Sequence, residues 1–345
     1  MIEVDGAHGE GGGQLLRMAV ALSALTDTPV RVVRIRAGRP TPGLAAQHVT
    51  AIDAVAKLCG GEVAGLAVGS STIEFRPGDS LVPGRFSFDV GTAGSVTLIL
   101  QALLPVAAAA GGPVRVRLVG GTDVRWSPPI DYFGRVFLPL IRRLGAHVDV
   151  EVLRRGYYPR GGGIVEVAIA PTRSWSSFVP SEGVDIQRVR GIAHASNLPE
   201  DVPKRMKHAA LRRLHGISDV KVEERVYRGE EAIGQGGALV LWAETTASLL
   251  GADSLAERGK PSERIGEEAA ASLRAEMEAA ATLDVHAADQ LLVYLARGGG
   301  PSRFRVQAVS GHLETMMWLI PQFLSCRFAV ARDGNGWQVK VEPDA

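Results

Sequence analysis

Cysteine is nearly missing from this chain of 345 residues, which has two, Cys59 and Cys326. Two thiols can build neither a metal cluster on their own nor a disulfide framework, and both fall in apolar helical patterns where a buried thiol is the ordinary reading. Reducing surroundings suit such a chain. Charge of one sign is also missing, because 38 Lys and Arg stand against 37 Asp and Glu, a formal +1. That balance gives no whole-molecule attraction to nucleic acid, so any RNA contact has to come from local basic patches. Long apolar runs are absent too. The longest, Val96 to Ala110, is interrupted by Gln101 and Pro105 and is too short to span a bilayer. The opening Met-Ile-Glu-Val-Asp has neither the basic nor the apolar region of a secretion signal. These absences point to the cytoplasm.

What is present describes a globular protein. Hydrophobic residues make up 46% and charged residues 22%, which excludes a disordered tail and a fibrous repeat, and the length suggests about two domains. A repeat runs through the first half: Asp5 and Asp89, and likewise Pro29 and Pro113, lie 84 residues apart. Each copy reads as a strand, a turn, an apolar helix, a Pro-Val-Arg-Val strand, a second helix and two strands, a βαβαββ order. The helices are expected near 14–25 and 44–58, then near 95–109 and 130–144. Leu15, Met18, Ala19 and Leu22 are spaced for a one-sided apolar stripe. A third, degenerate copy is suggested by Gly-Pro-Ser-Arg-Phe-Arg-Val at 300–306, which parallels Gly-Pro-Val-Arg-Val-Arg-Leu at 112–118. A helix over about 313–325 and two strands ending at Val341 would complete it, with His312 in the loop before the helix. The fold class read from this pattern is α/β. Residues 1–183 and 276–345 form the expected core of three βαβαββ repeats, with a smaller inserted α/β domain over 184–275.

Several clusters could carry chemistry. Gly9-Glu10-Gly11-Gly12-Gly13-Gln14 stands between a strand and a helix, where free N–H groups and the helix dipole favour an anion. It matches neither the dinucleotide fingerprint nor a Walker loop, so phosphate binding and a tight structural turn are both open. Glu10 beside a phosphate suits a metal ion, or else serves as a carboxylate at a helix N-terminus. Arg31, Arg34, Arg36 and Arg39 crowd one strand and its loop, with Arg17 in the first helix; they could hold a polyphosphate or form a solvated face. Gln47 and His48 open the next helix as site residues or as caps. Gln101 is a lone polar side chain in an apolar helix and needs a hydrogen-bond partner. Arg154, Arg155, Tyr157, Tyr158 and Arg160 interleave basic and aromatic groups in a way that fits single-stranded RNA, or an ordinary basic edge strand. Asp123, Arg125 and Trp126 occupy the matching loop of the second copy. Near 284–290, Asp284, His286, Asp289 and Gln290 gather at a helix start as a metal or ribose site, with N-capping as the plainer role. His312 precedes an apolar helix whose dipole disfavours imidazolium and keeps the ring in its nucleophilic form.

Taken in order, Gly-Glu-Gly-Gly-Gly-Gln-Leu-Leu-Arg (9–17), Ile-Arg-Ala-Gly-Arg (35–39) with Gln47-His48, Gly-Thr-Ala-Gly-Ser (91–95), Gly-Gly-Thr-Asp (120–123), Tyr-Pro-Arg-Gly-Gly-Gly (158–163), Ala-Asp-Gln (288–290) and His312-Leu-Glu-Thr resemble the RNA 3′-terminal phosphate cyclase family nearly end to end. The resemblance implies three βαβαββ units related to the enolpyruvyl transferase fold, with a small inserted domain. It implies an ATP-dependent enzyme that turns an RNA 3′-phosphate into a 2′,3′-cyclic phosphate through a histidinyl-AMP and an RNA-adenylate. His312 would be the nucleophile and Glu10 the ligand of a divalent metal, Mg or Mn. Arg17, Arg36, Arg39 and Gln47 would bind phosphates, and Gln101, His286, Asp289 and Gln290 the nucleotide. Arg125, Arg154, Tyr158 and Arg160 would meet RNA. Met316-Met317 and Ala45-Ala46 depart from the residues usual in the family. Two other readings compete: a cyclase-like factor without catalysis, against which His312 argues, and an enolpyruvyl transferase, which needs no ATP. The sequence leaves a homo-oligomer open and indicates no membrane partner.

Overall fold

A computed structural model describes residues 1–181 and 184–344. The first repeat comprises β1 (Ile2–Asp5), α1 (Gly13–Thr26), β2 (Val30–Val33), α2 (Ala46–Cys59), β3 (Glu62–Ala64) and β4 (Ile73–Arg76). Its sheet runs β1-β2-β4-β3, with β1 and β2 parallel and the other pairs antiparallel. Both helices stop where the chain turns left-handed, α1 at Asp27 with φ 51° and α2 at Gly60 with φ 62°. The second repeat has β5 (Gly84–Asp89), α3 (Val96–Ala107) and β6 (Val114–Gly120). A composite helix follows, made of α4 (Ile130–Tyr132), a π-helical turn (Phe133–Phe137) and α5 (Leu138–Arg143), then β7 (His147–Gly156) and β8 (Gly163–Ala170). Its strand order, β5-β6-β8-β7, repeats that of the first sheet.

Next come β9 (Ile186–Ser196), α6 (Asp201–Arg213), β10 (Val220–Tyr227), the two-residue β11 (Ala232–Ile233), β12 (Gly236–Thr245), β13 (Leu249–Leu255) and α7 (Ser262–Glu278). Four of these strands form a separate sheet, β10-β9-β12-β13, while β11 crosses to pair with β7 of the second repeat. Helices α6 and α7 pack on the separate sheet over a second apolar cluster that includes Met206, Leu239, Leu241, Leu250, Ile265 and Leu273. The chain ends with α8 (Val285–Leu295), β14 (Ser302–Val306), α9 (Gly311–Leu319), β15 (Cys326–Asp333) and β16 (Gly336–Pro343), in a sheet ordered β14-β16-β15. The place of a first strand beside β14 is taken by the stretch 175–178. Gly299 N–H donates to Trp175 O at 2.8 Å and Arg303 N–H to Phe178 O at 2.9 Å. The boundary expected at 183/184 touches residues outside the described set.

The helices of the repeats meet at the centre, α1 against α2, α3 and α9, and α8 against α3 and α9. This position overturns the one-sided stripe expected of α1. Every residue from Leu15 to Ala24 is buried, Arg17 and Ser23 included, because neighbours surround the helix. Each large apolar side chain so removed from water contributes about 1.5–3 kcal/mol. A further difference concerns the last repeat helix, which begins at Gly311, two residues earlier than expected. His312 therefore lies inside its first turn rather than in the loop before it. The helix ends at Leu319 and passes through a 3₁₀ turn at Ile320–Gln322, since Pro321 cannot continue the α-helical bonding. Among the described residues no helix is long and apolar enough to cross a membrane.

Candidate active site

The Gly-rich turn between β1 and α1 meets the start of α9. Gly9 and Gly11 both have φ +59°, which glycine adopts freely and which folds the turn tightly enough to present Glu10. Glu10 N–H donates to Thr315 Oγ1 at 3.3 Å, and the Thr315 hydroxyl donates to Gly311 O at 2.6 Å, so the turn is tied to α9. His8 stacks on Trp318 with ring centroids 3.7 Å apart, a second tie. Ser310 caps α9, its hydroxyl accepting from Leu313 N–H at 3.1 Å.

Between these elements the Glu10 carboxylate is shared. One oxygen accepts from Arg39 and the other contacts Nδ1 of His312. The His312 pKa is lowered, first by burial and then by the positive charge of Arg17, with His286 and Arg39 adding to it, while Glu10 opposes the shift. A neutral ring whose Nδ1–H is held by Glu10 carries its lone pair on Nε2, the nucleophilic nitrogen. Burial and nearby cations therefore act in the same direction as the dipole at the start of α9.

Arg17, Gln101 and Gln290 line a narrow polar cavity with Gln14, Met18, Ala102 and Phe137. Arg17 lies almost wholly out of water and burial brings its pKa down to about 10, with Asp289 opposing. Its Nη2 reaches Gln101 Oε1 at 3.5 Å, a bond between equivalent positions of two repeats. Asp289 is held well above the carboxylate range by burial, against a hydrogen bond from Gln14, and with Asp284 and Glu10 pushing the same way as burial. Gln290 Nε2 donates to His286 O at 2.7 Å. Of the buried polar atoms without a protein partner among the described residues, four belong to this cluster: Gln14 Oε1, Arg17 Nε, Asp289 Oδ1 and Gln290 Oε1. Unpaired buried polar groups are costly, and four in one region make it a candidate site for a polar ligand or an ordered water.

The remaining candidates divide. Arg36, at φ 52° after β2, donates to Gly43 O at 2.8 Å, and burial followed by Arg39 lowers its pKa. Gln47 Oε1 accepts from Ser95 N–H at 2.9 Å, bridging the first two repeats. Arg31 and Arg34 leave the cluster, since Arg31 pairs with Glu3 and Glu74 and Arg34 with Asp5. Asp284 is the N-cap of α8, accepting from His286 and Ala287 N–H groups, and it also binds Tyr132 Oη at 2.6 Å and Gly251 N–H at 2.9 Å. His286 is exposed at that helix start and meets Tyr132 edge-on. Of the RNA candidates, Arg125 pairs with Glu257 and Arg154 Nε donates to Gly162 O at 3.0 Å. Tyr158 and Arg160 are exposed.

Two residues were undervalued in the sequence. Gln14 bonds Asp289. His48 Nδ1 accepts from Ala45 N–H at 3.0 Å, the capping role, but the ring is buried and its Nε2 abuts the Gly-rich turn. A Cβ on Gly13 would lie 2.1 Å from His48 Nε2. Burial, then Arg17 and Arg36, drive the His48 pKa down to about 3, so it is a fixed neutral donor or acceptor. No linear pattern distinguishes such a histidine from a surface cap.

Asp123, Asp131 and His194 also converge closely enough to suggest a metal site. The Arg155 guanidinium already stands among them, 3.2 Å from Asp123 and 2.7 Å from Asp131, and supplies the positive charge a metal would bring.

The strand orders and the Glu10–His312 contact define a class: an α/β protein of βαβαββ repeats with a polar, arginine-lined site where first and last repeats meet. Within it, the chain belongs to the RNA 3′-terminal phosphate cyclase family, which it matches over residues 8–330. A protein from Nitrosospira multiformis bearing that family's name is 48% identical over 100% of this chain and 97% of its own length. Namesakes from Methanopyrus kandleri and Thermococcus onnurineus are each 44% identical, covering 100% and 99% of this chain and 99% of their own lengths. Among solved structures, the enolpyruvyl transferase NikO from Streptomyces tendae aligns with 47% of this chain and 31% of its own, at 18% identity and a TM-score of 0.28. The repeat topology, not that slight likeness, carries the fold.

Proposed function

We propose that this protein is an ATP-dependent RNA 3′-terminal phosphate cyclase that adenylates His312. The reading rests on membership of that family and on one contact, Glu10 against His312 Nδ1, which leaves Nε2 free beside Arg17 and Arg39. His312 Nε2 attacks the α-phosphorus of ATP, an N–P bond forms, and the bond to the β-phosphate oxygen breaks to release pyrophosphate. An oxygen of the RNA 3′-phosphate then attacks that phosphorus, the P–N bond breaks, and the histidine is restored. The 2′-hydroxyl finally attacks the 3′-phosphorus, loses its proton, and expels AMP as the ring closes. Each displacement builds negative charge, which Arg17, Arg36 and Arg39 are placed to balance.

A nucleotide would bind against this cluster, where Asp289, Gln290, Gln14 and Arg17 hold unpaired polar atoms that base and sugar edges could partner. Gln101 lines the cavity beside that cluster, His286 lies one turn before Gln290 on α8, and Gln47 is assigned to the phosphates by the family pattern. For a divalent metal, Glu10 offers one carboxylate, a donor set that suits Mg or Mn when phosphate oxygens supply the other ligands. Such an ion neutralises phosphate charge during displacement. Residues 184–275 are best regarded as an inserted domain and the rest as the repeat core, working in the cytoplasm on RNA ends.

Incubation with α-labelled ATP and Mg or Mn tests the reading. The wild type should acquire acid-labile label and convert a 3′-phosphate RNA end to its cyclic form, and His312→Ala should do neither. An unlabelled wild type, with RNA and metal varied, would overturn it.

A further inference from the structure

Two exposed aromatic side chains stand on adjoining loops, joined where Asp123 and Tyr157 bridge. Trp126 is 92% exposed and Tyr158 70%, and among the described residues they are the two aromatics left so open. Neither loop is loose. Thr122 N–H donates to Gly156 O at 2.9 Å, Asp123 and Tyr157 form a parallel bridge, and Gly161 N–H closes onto Tyr157 O at 2.8 Å. Beneath them Arg155 clasps Asp123 and Asp131, and the buried Tyr157 hydroxyl bonds His194 Nδ1 at 2.9 Å. Trp126 has φ +61°, a backbone region that disfavours a bulky side chain, and it holds the ring in water. A large ring kept in solvent on a strained, well-braced loop is a binding feature rather than an accident of packing.

Both loops border the proposed active site. The Trp126 loop continues through Pro128, whose carbonyl accepts from Thr97, to Tyr132, which meets His286. Gly161 packs on the backbone of Thr92 and Ala93, next to Ser95, the partner of Gln47. In sequence Trp126 is flanked by Arg125 and Ser127, and Tyr158 by the buried Tyr157 and by Pro159, with Arg160 next. Arg160 is exposed and makes no ion pair among the described residues. Exposed rings with an unpaired guanidinium two residues from one of them suit unpaired bases and phosphate.

We propose that Trp126 and Tyr158 form a stacking platform for the unpaired bases just upstream of the RNA 3′ end, with Arg160 taking a phosphate between them. The proposal rests on the cyclase reading for its choice of ligand. The platform would make end recognition depend on single-stranded bases without reading their sequence.

Fluorescence anisotropy with a short single-stranded RNA ending in a 3′-phosphate tests it, with self-adenylation by ATP followed in parallel. Trp126→Ala and Tyr158→Ala should each weaken RNA binding by about five- to a hundredfold, the scale of one lost stacked base. Trp126→Phe should recover most of the loss. RNA with abasic residues near its end should bind the wild type as weakly as intact RNA binds Trp126→Ala. Arg160→Ala should instead reduce the salt dependence. Alanine variants that fold normally and bind RNA as the wild type does, or abasic RNA that binds undiminished, overturn the platform and leave the surface to a protein partner. A wild type that binds RNA through these rings but never adenylates would sink the cyclase reading and spare the platform.

Discussion

At the residue scale the buried ionisable groups are the ones that respond to conditions. Glu276 on α7 is 5% exposed, its Oε1 accepts from Val285 N–H at 3.1 Å, and its Oε2 has no partner. Burial, then the charge of Asp284, raise its pKa to about 8. The folded state thus holds a proton that the unfolded chain releases near the ordinary value of 4.5. The stability it confers is complete below that value and is lost as pH rises through about 8. Glu276→Gln should be close to the wild type in Tm at pH 5 and melt higher at pH 8; equal Tm differences at both would refute the assignment. Gly13 offers a steric test. An added Cβ would press on His48 Nε2 and lie 2.9 Å from Arg17 Nη1. Gly13→Ala should cost about 1–3 kcal/mol of stability, and calorimetry should show weakened nucleotide binding with it.

At the scale of elements, His312 is positioned by the way α9 begins. Ser310 satisfies Leu313 N–H, and Thr315 joins the first turn of α9 to the Gly-rich turn. Ser310→Ala should therefore cost about 0.5–2 kcal/mol. It should also slow self-adenylation, because the helix that carries His312 frays at that end, and Ser310→Thr should restore both. A variant that loses stability but adenylates at the normal rate would show that α9 positions His312 without its cap. The two departures from the family pattern are also matters of helix packing: Met316 is fully buried in the core, and Ala45 is the N-cap position of α2, bonded through its N–H to His48.

At the scale of the whole molecule, the second repeat and the separate β10-β9-β12-β13 sheet are joined by one buried charge cluster. Arg155 on β7 faces Asp123, Asp131 and His194 of β9, and its guanidinium lies 4.7 Å from the ring of Tyr227 on β10. Burial alone would raise the Asp123 pKa, but Arg155 and His194 prevail and hold it down to about 2. Removing the arginine leaves the buried Asp123 and the half-buried Asp131 with His194 alone facing both, so Arg155→Ala should cost about 3–5 kcal/mol. The sign of the pH response should also invert. In the wild type the pair's contribution is present above the ordinary carboxylate pKa and lost as pH falls toward about 2. In the variant the carboxyl pKa rises, so acid should partly restore stability. Thermal melts from pH 4 to pH 8 would decide the matter.

Much of the repeat was legible in the linear pattern, since matched Asp and Pro positions and alternating Val-Arg-Val strands are set by local periodicity. The Gly-rich turn, the capping Asp284 and a helix following His312 were legible for the same reason, but not that His312 lies inside its first turn or that Ser310 caps it. That β1-β2-β4-β3 recurs as β5-β6-β8-β7, that α1 is enclosed on all sides, and that Arg17 bonds Gln101 depend on how separate segments pack. So do the neutrality of His48, the raised pKa of Asp289 and the choice of Arg155 over a metal, because each is a matter of burial and of charges distant in sequence. Sequence by itself determined the chemical groups and the secondary structure that carries them. Only the tertiary structure decided which groups lose water together, and that loss is what shifts a pKa, leaves an atom unpaired, and sets Glu10 against His312.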